Sequence, residues 1–328
     1  MMGARYGGAP LDGSARVTAT TGLRGPLPTL WHPDGIDAAW SNARPLLERA
    51  RPRTVQLHSW SPSLVADSIR RALPGVELVC GFGIDGIARD VAKGSVSVAD
   101  GVRTFLRLAE RAHAVGARAV KWNAEAAWKR APNSVERKRL SELVRTALAE
   151  VASRYPAIEQ LHTAYDHPSF HSTYNWSDWL GTGSPIVASY AQVYAAPEGG
   201  LMAHRGALPA REARSLASWG AAIRAGWITP DDPSTAIREG VQWRPYYQLH
   251  HVPDRDTVSS ALQHESCALW AIPARADRDG RAAFVALCEL DRRGYWRPDG
   301  LRDFQQDNRL VVDGVFGNES ARALGVER

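Results

Sequence analysis

Eight short apolar runs alternate with helical stretches along this chain, and that alternation restricts its fold more than any other feature. The runs are PTLWH (28–32), TVQLHSW (54–60), ELVCGFG (77–83), RAVKWN (118–123), EQLHTAY (159–165), PIVASYAQVY (185–194), YYQLHHV (246–252) and CALWAIPA (267–274). Residues 36–51, 63–73, 100–116, 134–155, 208–226 and 255–266 lie between them, with apolar side chains at helical spacing. A strand that is followed by a helix pairs with parallel neighbours, because only a crossover returns the chain to the same edge. Eight such units predict a closed (β/α)8 TIM barrel, with a doubly wound open sheet as the second choice. Residues 167–184 show little helical pattern, so a long loop is expected where one helix should be. The segment 100–116 is expected to start at an N-cap Asp100 and to stop at Gly116.

The length of 328 residues fits one barrel of ~250 residues with a small module attached. With 44% hydrophobic and 23% charged residues, the chain is neither disordered, collagen-like nor a disulfide scaffold. No stretch approaches the ~18 apolar residues of a membrane span. Net charge is +5, and only four of the 40 basic residues are lysines. The arginines are spread over helical segments as solvated faces, which argues against a nucleic-acid partner and suits an anionic polymer equally well. Cys80, Cys267 and Cys288 make neither a zinc pattern nor a disulfide framework. Residues 1–25 read as a flexible arm without the apolar core of a secretory signal. The expectation is therefore cytoplasmic synthesis, with action at a cell wall after lysis or non-classical delivery.

Twelve tryptophans against six phenylalanines point to flat amphipathic surfaces for binding. In a parallel barrel, functional groups gather at the C-terminal ends of the strands. Those ends carry Glu125, Asp166 and Asp85 as candidate catalytic carboxyls, with Asp34 behind them. Glycoside hydrolysis needs two such groups across the scissile bond, one protonated and one ionised. Trp60, Trp122, Tyr165, Tyr190 and Trp270 are candidate platforms for sugar rings, and Asn123, Gln192 and His250 candidate polar contacts. No GxSxG or HExxH occurs, and GFGIDG (81–86) lacks the phase of a dinucleotide loop and a helix directly after it. His167 and His171 are four apart but Pro168 lies between them. No metal and no cofactor are expected.

Trp122-Asn123-Ala124-Glu125 resembles the fourth strand end of glycoside hydrolase barrels, including the Asp-x-Glu of the family 25 lysozymes, with Asn123 in place of the first acid. Ile186–Tyr194 is similar to the aromatic strand of the same lysozymes. His167–His171 (HPSFH) resembles the histidine motif of sugar de-N-acetylases, whose paired-Asp strand is missing. Near the C-terminus, Phe304-Gln305, then Asp313-Gly314-Val315-Phe316-Gly317 and Ser320 resemble the three-helix peptidoglycan-binding domain of cell-wall hydrolases. There Leu310, Val312, Val315 and Phe316 are expected to fold under the helices, and Gly314 and Gly317 to supply turns. The expected organisation is an arm (1–25), a glycoside-hydrolase-like barrel (26–280) and a small helical wall-binding module (281–328). These resemblances imply a peptidoglycan-cleaving hydrolase of the muramidase type. Two other readings stay open: an inactive wall-binding protein anchoring a phage-tail-like or secretion assembly, and a metal-dependent amidase or deacetylase.

Overall fold

A computed structural model of the chain describes residues 23–124, 134–165, 176–181, 183–192, 242–247, 254–264, 266–270 and 278–326. The strands are β1 (Gly25–Leu30), β2 (Thr54–His58), β3 (Glu77–Gly83), β4 (Ala119–Asn123), β5 (Glu159–Tyr165), β6 (Ile186–Gln192), β7 (Gln242–Tyr247) and β8 (Ser266–Leu269). Each lies parallel to the next, and β8 pairs back onto β1 in the register Gly25–Ser266 to Pro28–Leu269, closing the barrel. The fold is the (β/α)8 barrel that the alternation predicts.

Two strands begin earlier than their apolar runs. β1 starts at Gly25 and contains Pro26 and Pro28, while β7 starts at Gln242 and contains Arg244 and Pro245. Proline cannot donate to a ladder, and an arginine breaks an apolar run, so hydrophobicity alone places both strands too late. Here closure fixes the positions: Ala188 is opposite Gln242, and Gln192 opposite Tyr246.

The described helices are α1 (Ile36–Ala50), α2 (Ser63–Ala72), α3 (Asp85–Lys93), α4 (Val98–Ala114), α5 (Ser134–Arg154), α6 (Trp176–Leu180), α7 (Asp254–Ala261), α8 (Arg278–Arg292), α9 (Gly300–Asp307) and α10 (Asn318–Leu324). α3 starts inside GFGIDG, where the sequence reading expected no helix. α4 starts earlier than expected, because Ser97 rather than Asp100 is its N-cap: the Ser97 hydroxyl accepts from the Asp100 amide at 3.1 Å and donates to the Asp100 carboxylate at 2.6 Å. The segment 208–226 lies outside the described residues.

Strand side chains alternate between two cores. Leu27, Val79, Ala119, Leu161 and Tyr246 fill the lumen, while Phe82 and Trp122 face out to the helices. α8 packs on β1, α1 and α7, so it is the barrel's last helix, and residue 281 falls within it. α9 and α10 continue that outer core: Leu301, Phe304, Phe316 and Leu324 are buried in one cluster with Phe284 of α8. Hydrogen bonds from Ser259 Oγ to Gly314 O (2.9 Å) and from Trp296 Nε1 to His264 O (2.9 Å) fasten this tail to the α7 side of the barrel.

Candidate active site

The floor of the barrel mouth is built on Lys121. From Asn123 at the end of β4, a step of two residues reaches Lys121, so both face the lumen and Trp122 between them faces out. Lys121 Nζ donates to Gln56 Oε1 at 3.0 Å and lies 3.8 Å from the ring centre of Tyr246 and 4.7 Å from that of Tyr190. Both rings present the negative face that attracts a cation. Below, the Tyr190 hydroxyl lies 3.1 Å from Ser266 Oγ and accepts from Arg244 Nη1 at 3.3 Å. Arg244 Nη1 also donates to Leu23 O at 3.0 Å, and the Tyr246 hydroxyl donates to Thr29 Oγ1 at 3.3 Å. Gly81 leaves the space for this layer: a Cβ there would lie 2.4 Å from Gln56 Nε2.

Above the floor, Trp270 is the centre of an aromatic wall. Its ring stacks on Trp31 (5.5 Å between centroids, 27° between planes) and meets His58 edge-on at 5.1 Å and Tyr246 edge-on at 6.0 Å. Burial first, and the Lys121 charge second, lower the His58 pKa from 6.5 to about 4. At neutral pH this imidazole is uncharged. Trp60 stands at the rim with 45% of its surface exposed, and its indole donates to Gly83 O at 3.1 Å. Arg111 Nη1 donates to the Trp60 carbonyl at 2.6 Å and holds that turn in place.

The residues singled out from the sequence therefore divide. Trp60, Asn123 and Trp270 come to the mouth. Asp85 is the first residue of α3, half-buried, and the neighbouring Ile84 amide donates to Asn123 O at 3.2 Å. Tyr165 and Gln192 pair across the ends of β5 and β6. Glu125, Asp166, His250, His167 and His171 lie outside the described residues.

Two platform assignments are corrected. Trp122 is fully buried against Phe82 and Phe105, with its indole donating to Gln160 Oε1 at 3.0 Å. Tyr190 is fully buried in the floor, where its ring is already taken by Lys121. Conversely, Trp31, Lys121 and Tyr246 belong to the site but were not among the candidates. Counting back by two from Asn123 finds Lys121, and the same count links Trp270 to the β8 lumen residue Ala268.

In the C-terminal tail, Gln305 organises the loop. Its amide nitrogen, with two hydrogens to donate, lies within hydrogen-bond distance of Asp313 Oδ1 (2.8 Å), Val315 O (3.0 Å) and Ser320 Oγ (3.2 Å), and its oxygen accepts from the Gly314 amide (2.8 Å). The Val315 amide, and then Gln305, hold the Asp313 carboxyl below its usual pKa. Gly314 adopts φ +73°, the left-handed conformation that favours glycine. Gly317 caps α10 at φ −101°, so no special conformation explains it. Phe304 and Phe316 are fully buried, with Phe304 edge-on to Tyr295 at 5.5 Å. Val312 and Val315 are not under the helices: with Val311 they form an exposed apolar patch beside Asp313. The tight turn that Gln305 imposes directs them outward.

No group of three or more His, Cys, Asp or Glu side chains able to hold a metal occurs among the described residues. No helix among them is long and apolar enough to cross a membrane.

No protein-family model matches the chain, and no curated protein is significantly similar to it. Solved structures do resemble it. Active domain 2 of a thermostable chitinase from Pyrococcus furiosus superposes with a TM-score of 0.50 at 14% identity, over 85% of this chain and 98% of that one. A family GH18 chitinase from Cycas revoluta, solved with allosamidin, superposes with a TM-score of 0.50 at 9% identity, over 80% and 98%. At these identities the likeness is one of fold.

Proposed function

We propose that this chain is a glycoside hydrolase that acts on a glycan of N-acetylated sugars, of the peptidoglycan type. The observation that carries this reading is the aromatic wall: Trp270 is held by Trp31, His58 and Tyr246, and Trp60 stands exposed at the same rim. Such faces suit the apolar side of a pyranose. Two barrels of like fold are chitinases, which supports a β-linked N-acetylglucosamine backbone as the common element. The exposed valines around Asp313 support a polymeric wall substrate rather than a free oligosaccharide.

Glu125, two residues beyond Asn123 on β4, is the general acid in this proposal. Asp85 is the first choice for the second carboxyl, since its helix starts beside the contact between Ile84 and Asn123; Asp166 is the second. The Asn123 amide would orient the substrate's N-acetyl group. Neutral His58 offers a hydrogen bond without adding charge. A carboxyl separation of about 5 Å would make the enzyme retaining, and ~6.5–9.5 Å inverting. The site of action would be the cell wall.

Release of muropeptides from purified walls, compared with reducing ends from soluble chito-oligosaccharides, tests the reading. Glu125→Gln should lower turnover by roughly 10²–10⁴-fold with an unchanged melting temperature. Unchanged turnover would sink the assignment of the acid. Trp60→Ala should weaken substrate binding in a stable protein, whereas Trp122→Ala should cost about 3–5 kcal/mol of stability. A second reading has its own support: Lys121 and Asn123, the described residues that β4 turns to the lumen near its end, are not acidic. Binding to insoluble walls without product would favour this inactive, anchoring role.

A further inference from the structure

The face of the barrel opposite the mouth carries a cleft of its own. It lies where β2, β3 and β4 begin and has a volume of about 420 Å³, within the ~300–1,000 Å³ range typical of small-molecule sites. Arginine recurs at the strand starts: Arg24, Arg53 and Arg118 stand one residue before β1, β2 and β4, respectively. With Arg51 they put four arginines around the cleft, against one carboxylate among the described lining residues, that of Glu77.

Two of the four are committed to carboxylates. Arg118 bridges Glu77 (2.7 Å) and Glu159 (3.2 Å), while Arg53 pairs with the Asp291 carboxylate (3.0 Å) and donates to the Asp291 carbonyl (3.2 Å). These pairs fix the walls, since they tie β4 to β3 and β5, and β2 to α8. Arg24 and Arg51 differ. Both are exposed, and among the described residues neither side chain has a hydrogen bond or an ion pair. Arg51 stands there at a conformational cost: it closes α1 at φ 48°, the left-handed position where glycine is the unstrained choice. Pro52 and Pro74 also line the cleft and stiffen the loops that lead into β2 and β3.

We infer that this cleft binds a phosphate group, with Arg24 and Arg51 as its two guanidinium clamps. Each guanidinium offers a planar pair of N–H donors. The two oxygens of one carboxylate fill a single such pair, whereas the terminal oxygens of a phosphate can serve both. Free phosphate and a phosphorylated small molecule share this chemistry. The inference does not depend on the barrel being a glycosidase, because the cleft and the mouth lie at opposite ends of the strands.

Isothermal titration of the full-length protein with inorganic phosphate, glycerol phosphate and acetate tests it. At least one of the two phosphates should bind at least tenfold more tightly than acetate. Tighter binding of glycerol phosphate identifies an esterified ligand, and tighter binding of inorganic phosphate the free ion. The exposed-residue double variant Arg24→Gln/Arg51→Gln should lose the preference over acetate with its melting temperature kept. Arg51→Gly alone should weaken phosphate binding while the melting temperature stays or rises, because glycine relieves the left-handed cap. No binding, acetate bound as tightly as phosphate, or full phosphate affinity in either variant would overturn the inference.

Discussion

His58 links one side chain to the acid stability of the whole barrel. Its pKa is about 4 in the folded protein, against 6.5 for a free imidazole. The unfolded chain therefore takes up a proton below pH 6.5 that the folded one refuses. Its contribution is intact above pH 6.5, declines as pH falls from 6.5 to 4, and stops changing below that. Each pKa unit corresponds to ~1.4 kcal/mol, so the full loss is at most about 3.5 kcal/mol, less what partial exposure of the ring returns. Urea unfolding across that range should show His58→Gln losing less stability than the parent chain. In Lys121→Met, NMR titration should place the His58 pKa higher, toward 6.5, because one of its two depressing causes is gone. At this scale the sequence held more than hydrophobicity reveals. Trp122 and Glu125 differ by an odd number of positions, so one regular strand face cannot present both. Lys121 looks like a solvent-facing interruption of an apolar run, because a lone lysine gives no sign of the two tyrosine rings, distant in sequence, that receive it.

Among the elements, the tail loop depends on one amide. The Gln305 side chain has four polar partners within hydrogen-bond distance while almost fully buried. Replacing it by alanine leaves the Gly314 amide and Ser320 hydroxyl without these partners, each a group that is costly to bury unpaired. Gln305→Ala should lower stability by roughly 1–3 kcal/mol and speed hydrogen exchange at Gly314 and Val315 while the β4 amides keep their protection. The Phe-Gln and Asp-Gly signals were legible as a motif, but the outward course of Val312 and Val315 was not. Apolar residues in a short loop read as core until the backbone direction is known. The same limit explains β1 and β7, where prolines and an arginine hide strands whose positions are set by their neighbours in a closed ring.

For the molecule as a whole, α8 matters because it serves two cores. One side covers β1 and packs on α1 and α7, and the other supports α9 and α10. A chain ended at residue 280 loses the helix over β1 and should not give a cooperative thermal transition by circular dichroism. A chain ended at Gly294 keeps the barrel but bares the surface that Phe304, Phe316 and Leu324 cover. It should melt at a lower temperature and self-associate in sedimentation experiments. The strand–helix rhythm announced the ring, whereas the sharing of α8 was not visible, since an amphipathic helix shows one buried stripe and not what lies on its flanks.

Riveting the tail to the barrel has a mechanical consequence. A binding module on a flexible linker raises the local concentration of its partner over a volume set by the linker's reach. Here the chain from α8 to α9 is short, and Ser259, Trp296 and Arg293 bond across the junction. The Val311–Val315 patch and the mouth around Trp270 thus keep a constant offset. A polymer that occupied both, as the proposed function requires, would have to present two points at that one spacing, which is the demand of a caliper rather than of a tether.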